Sequence, residues 1–152
     1  IASDILEHIE NDDVALLEWS RILKQSGILI VFVPAFKFLW SEHDEVNYHY
    51  SRYSSYSLTF ALRKANFNVN RISYWDFLLF FPVSFDRILH RVLISKKNRA
   101  KKDHLYLLNP TINKILSSIL IMENKFLKLF NFPFGVSVFA VAENKRNRYR
   151  NV

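Results

Sequence analysis

The 152-residue chain has no cysteine, two glycines and one methionine. Without cysteine there is no disulfide and no thiolate metal site, and a reducing compartment, the cytoplasm, fits that composition. Gly27 and Gly135 are the whole glycine complement, so no glycine-rich turn is hidden in the chain. No apolar run approaches the roughly 18 residues of a membrane-spanning helix; Phe77–Phe81 meets Pro82 and soon Asp86. No basic-then-apolar signal peptide opens the chain. The methionine is Met122, so residue 1 is not an ordinary translation start and a fragment is expected.

What is present is apolar and aromatic. Hydrophobic residues make up 50% of the chain, with 14 Phe, which suits a packed core in one domain and opposes disorder. The net charge of +7 gathers in Arg87–Lys102 and from Lys145 to Arg150. Such a balance favours anionic partners or plain solubility and does not choose between them.

The run Asp4-Ile-Leu-Glu7-His8-Ile9 places acids and an imidazole straight after a short apolar stub. An Asn11-Asp12-Asp13 helix start follows. Leu16, Trp19 and Leu23, joined by Ala15 and Ile22, form one apolar stripe, and Gly27 is expected to stop that helix. Ile28–Val33 reads as a strand buried on both faces and ended by Pro34. Stub, helix and strand make the second half of an α/β unit, entered at a strand's carboxyl end, where open α/β sheets bind ligands.

A long polar and aromatic connection, Ala35 to Ser54, comes next; loops of that length are usually functional or mobile. Ser55 or Ser57 starts a helix carrying Leu58, Ala61, Leu62 and Ala65. Phe67–Ser73 alternates like a strand. Phe77–Ile94 reads as irregular and partly helical, interrupted by Pro82, and Lys96–Asp103 as a solvated basic linker. Asn109 and Pro110 start a helix that extends to about Phe130. Phe132-Pro-Phe-Gly135 then turns the chain into a final strand, Val136–Ala142.

The run from Ser3 to Ala142 resembles the carboxyl-terminal half of a class I S-adenosylmethionine-dependent methyltransferase. The resemblance is carried by Ser-Asp-Ile-Leu-Glu-His-Ile (3–9), Ala-Leu-Leu-Glu-Trp-Ser-Arg-Ile-Leu-Lys (15–24) and Gly-Ile-Leu-Ile-Val-Phe-Val-Pro (27–34). Leu-Trp-Ser-Glu-His-Asp (39–44), His-Tyr-Ser-Arg-Tyr (49–53) and Phe-Pro-Phe-Gly-Val-Ser (132–137) add to it. It implies an α/β, Rossmann-like sheet reduced to strands four to seven, the last strand antiparallel between the fifth and sixth. Residues 1–143 would be the carboxyl-terminal part of one domain, with 35–54 an acceptor or lid loop and 77–131 a lid-like helical insertion. Residues 144–152 would be a basic tail.

The family's glycine-rich loop and its ribose-holding acid have no counterpart here, so the resemblance implies a half that is inactive alone and whose partner is the amino-terminal half of the same domain. S-adenosyl-L-methionine is the implied cofactor, flanked by Ser3, Asp4, Glu7 and His8. The implied acceptor is a small or lipid-like molecule held by Trp40, Asp44, Arg52 and Tyr53. A base is needed only if that acceptor must lose a proton; His43 and His49, with a reference pKa of roughly 6.5, are the candidates. His43, Asp44 and His49 match no known ligand spacing, and no metal is expected.

Two other readings stand beside this one. A degenerate, non-catalytic module would bind a partner or an anionic membrane through Arg87–Lys102, giving peripheral membrane contact. A nucleic-acid methyltransferase is disfavoured: the Asn/Asp-Pro-Pro-aromatic base-handling motif is absent, and the basic residues form no stripe with aromatics between them.

Overall fold

The computed structural model describes residues 1–93 and 109–145. The expected basic linker at 96–103 and nearly all of the basic tail lie outside the described residues. Four strands, β1 (Ala2–Ser3), β2 (Ile28–Pro34), β3 (Phe67–Trp75) and β4 (Ser137–Asn144), form one sheet in the order β1-β2-β4-β3. β1 runs parallel to β2, while β4 is antiparallel to both of its neighbours. β1, β2 and β3 therefore point the same way, and their carboxyl ends share one edge of the sheet.

The helices are α1 (Asp12–Ile22), α2 (Glu42–Val46), α3 (Ser55–Lys64), α4 (Phe77–Leu93) and α5 (Pro110–Leu127). Leu16 of α1 and Leu58 and Leu62 of α3 pack with Leu29, Val31, Val33, Val138, Ala140 and Ala142 on one face of the sheet. Each such leucine contributes about 1.5–3 kcal/mol by leaving water. On the opposite face Phe32 stacks on Phe139 at 5.2 Å and meets Trp75 edge-on at 5.7 Å.

Several elements differ from the sequence-based expectations. Ile22 is exposed rather than part of the buried stripe, and Ser20 is buried instead. The Ser20 hydroxyl donates to Asn144 Oδ1 at 3.0 Å, while the Asn144 amide donates to the carbonyls of Ser20 and Leu23. The last strand thus caps the end of α1. Gly27 does not stop that helix: α1 ends at Ile22, and Ser26 takes the left-handed conformation. Gly27 is needed because a Cβ there would stand 2.8 Å from the Lys24 carbonyl.

β2 is not solidly buried. Leu29, Val31 and Val33 are inside, while Ile30 and Phe32 are half-covered and Ile28 is exposed, because helices cover one face more fully than the other. α4 is a continuous helix through Pro82. Pro82 has no N–H to donate, but it is exposed, where water can serve the carbonyl it leaves unpaired. α5 stops at Leu127, short of the expected Phe130, and begins as expected with Asn109 Oδ1 accepting from the Thr111 amide at 2.9 Å. Its one buried side chain is Glu123, which accepts from the amides of Phe77 and Leu78 at 2.8 and 3.2 Å. A carboxylate from α5 thereby satisfies the open N-terminus of α4. Gly135 is required by close approach: a Cβ would lie 2.1 Å from the Trp75 carbonyl oxygen.

Candidate active site

Each of the three parallel strands leaves the sheet through a residue at positive φ. Asp4 follows β1 at 52°, Phe36 follows β2 at 53° and Asp76 follows β3 at 59°. A bulky residue such as Phe36 reaches that region only when its surroundings impose it. Phe36 is held by stacking on Tyr74, with centroids 4.8 Å apart, and by contact with Phe38 and Phe80.

The segment expected to be a long loop is a closed and organised one. The Phe36 amide donates to the Tyr53 carbonyl at 2.8 Å, and the Tyr53 amide to the Pro34 carbonyl at 3.0 Å. Between these ends lie a 3-10 turn at Lys37–Leu39 and α2, whose capping box pairs Ser41 with Asp44. Asp44 is fully buried and accepts from Arg52 Nε at 2.7 Å, from His49 Nδ1 at 2.9 Å and from the Ser41 amide at 2.8 Å. Burial opposes its charge, yet the hydrogen bond and charge of Arg52 outweigh that and hold the carboxyl below its ordinary value. Arg52, itself buried, also donates to the Ala35 carbonyl at 2.8 Å. Tyr53 is buried too, and its hydroxyl donates to Asp12 Oδ2 at 2.8 Å; burial and then Asp12 push the phenol's pKa up.

The expected site residues fall into distinct settings. Ser3 and Asp4 are exposed at the end of β1, the Ser3 hydroxyl donating to Asp4 Oδ2 at 2.9 Å. Glu7 is buried in the turn Leu6–His8, and burial pushes its carboxyl above the usual range. His8 is exposed beside it, its ring centroid 4.6 Å from that of His49. His43 is exposed on α2 beside Asn47, 6.3 Å from His49 between centroids. Trp40 is half-buried at the end of the 3-10 turn. Asp44 and Arg52 spend their polar atoms on the loop itself, and the Tyr53 hydroxyl is spent on Asp12 of α1. The structure thus joins the acidic-imidazole run at β1 to the histidines of the loop.

Two residues of the expected lid-like insertion, not singled out as site residues in the sequence, reach the loop. Phe80 and Arg87 of α4 lean over the loop, Phe80 against Phe36 and Phe38, and Arg87 donating to the Leu39 carbonyl. The aromatic density of 77–81 was visible, but nothing in the sequence linked it to residues 36–39.

The sheet order β1-β2-β4-β3, with an antiparallel last strand between its neighbours, is the order expected for strands four to seven of a Rossmann-like sheet. No protein-family model matches the sequence, and no curated protein matches it. Six chains of solved structures do. One is phosphoethanolamine N-methyltransferase 2 of Haemonchus contortus in complex with S-adenosyl-L-methionine, at 15% identity and a TM-score of 0.48. The match covers 95% of this chain and 32% of that one, so this chain spans about a third of its length. At that identity and score the likeness says nothing about residue roles.

Proposed function

We infer that the chain is the carboxyl-terminal half of an S-adenosyl-L-methionine-dependent methyltransferase acting on a small or lipid-like acceptor, and that this half is inactive alone. The observation that carries the reading is the sheet order β1-β2-β4-β3, with the polar cluster at the shared carboxyl ends of its parallel strands. When bound, S-adenosyl-L-methionine supplies an electrophilic methyl group. The exposed Asp4 carboxylate suits an ammonium or hydroxyl group of that molecule, with Ser3 beside it and Glu7 and His8 adjoining. Gly27 and Gly135 are both committed to close backbone approaches, so this chain offers one flank of a cofactor site. Positioning supplies much of the catalysis in an in-line transfer. The closed loop would hold the acceptor near Trp40, with Asp44, Arg52 and Tyr53 keeping its shape, while His43 or His49 takes a proton where the acceptor has one to lose.

Calorimetric titration of S-adenosylhomocysteine into this chain, and into this chain joined to its native upstream coding sequence, tests the reading. Binding to the joined form alone is the expected result. Binding to neither would reject it in favour of the partner-binding module.

That second reading has one observation of its own. Leu78, Phe81, Phe85, Ile88 and Leu89 of α4 are all exposed, and such a face suits an interface with lipid. Among the described residues no helix is long and apolar enough to cross a membrane. Salt-sensitive binding to anionic vesicles, without affinity for S-adenosylhomocysteine, would favour this reading.

A further inference from the structure

We propose that Glu7, His8 and His49 form a binding site for a divalent transition metal of the Zn2+ type, with Asp44 as the positioning residue behind His49. One carboxylate oxygen of Glu7 and one ring nitrogen from each histidine all lie within 4.8 Å of one another. Around a tetrahedral ion with bonds of about 2.0–2.2 Å, neighbouring donors stand roughly 3.3–3.6 Å apart. Small side-chain rotations close that gap, and the exposed His8 is free to make one.

Three further features point to a cation. Glu7 is 1% exposed, and its Oε2 has no hydrogen-bond partner. A buried carboxylate oxygen left in that state is costly, and a metal ion would satisfy it. His49 donates its Nδ1 proton to Asp44 Oδ1 at 2.9 Å. An ionised carboxylate only accepts, so Nδ1 carries a proton, and in the neutral ring that leaves the Nε2 lone pair for a metal. That is the carboxylate–histidine arrangement that orients imidazoles toward metals. The Asp44 side of it is anchored by Arg52 and Ser41, so the ring's orientation is inherited from the buried core of the loop.

The donor set selects the metal class. Two imidazoles and one carboxylate suit Zn2+ and its neighbours, whereas Mg2+ and Ca2+ prefer oxygen donors throughout. Three protein donors leave a fourth position open on a tetrahedral ion. The site stands whether or not the methyltransferase reading holds. If that reading holds, His8 and His49 are ligands rather than bases, and His43 remains as the proton acceptor.

The test is titration of Zn2+ into the chelator-treated chain by calorimetry, with Co2+ substitution read by visible absorption. One Zn2+ per chain is expected, with the intense visible bands of four-coordinate Co2+. His8→Ala and Glu7→Gln should each weaken binding at least about tenfold, and Asp44→Asn by about 10–100-fold with a shifted Co2+ band. A merely structural role for Asp44 would leave the band of the remaining bound Co2+ unmoved. His8 is exposed, so its variant should keep the wild-type circular dichroism and melting curve. Absent binding, or affinity unchanged in both His8→Ala and Glu7→Gln, would overturn the proposal. Zn2+ binding without S-adenosylhomocysteine binding in the upstream-extended chain would keep the metal site and reject the methyltransferase reading; the reverse would remove only the metal site.

Discussion

The backbone amide of Tyr50 donates a 2.7 Å hydrogen bond to the carbonyl of Glu7. This contact pins the end of the closed loop onto the turn after β1. It places His49 beside His8, with the paired Asp44 and Arg52 behind it. Every chemical role suggested for these residues depends on that clamp and on the buried ion pair that shapes the loop.

Asp44→Ala should destabilise the protein by about 3–5 kcal/mol, because it leaves the Arg52 guanidinium buried without its partner. Urea denaturation measures the loss. Asp44→Asn keeps hydrogen-bonding capacity and should cost less. Hydrogen exchange at the Tyr50 amide should speed up in the alanine variant. A loss below about 1 kcal/mol would show that the pair does not organise the loop.

Asp76 links stability to pH. Burial, and then the charge of Glu123, push its carboxyl up to about 6, against about 3.9 in an unfolded chain. The folded state binds this proton more tightly, so the contribution is complete below about pH 4 and is lost as pH rises through about 6. Asp76 is partly exposed, so the loss is about 1–2 kcal/mol between pH 4 and 7. Asp76→Asn, which tolerates the positive φ, should remove that part of the pH dependence in thermal melts. Identical pH profiles for the two proteins would contradict the assignment.

Asn144→Ala should cost about 1–3 kcal/mol, since it strands the buried Ser20 hydroxyl and the carbonyls that end α1. A double-mutant cycle with Ser20→Ala isolates the coupling. Additive losses would mean that Asn144 acts by packing alone.

Much of the fold was legible in local pattern. The spacing of Leu58, Ala61, Leu62 and Ala65 predicts α3, and all four are buried. Asn109 and Pro110 mark the start of α5. The resemblance in motifs implied the antiparallel last strand between two parallel neighbours, as observed. Pro82 misled, because a breaker's effect depends on whether solvent can serve the carbonyl it abandons. Ile22 misled as well, because apolarity marks which residues gain from burial and not which are given it; Ser20, with Asn144 to bond, takes the inner place.

The candidate site divides along the same line. Asp4, Glu7 and His8 stood out as one short run, and His43 and His49 as two imidazoles in a polar loop, but no spacing rule joins the two groups. Sequence by itself determined where most helices and strands begin, which faces are apolar, and which polar side chains gather in short runs, because periodicity and capping act over a few residues. Only tertiary structure decided that Glu7 meets Tyr50, that Glu123 caps α4 and that Asn144 closes α1. Those bonds join residues distant along the chain, and each forms only after the sheet and helices have packed and removed the water that competes for the same donors and acceptors.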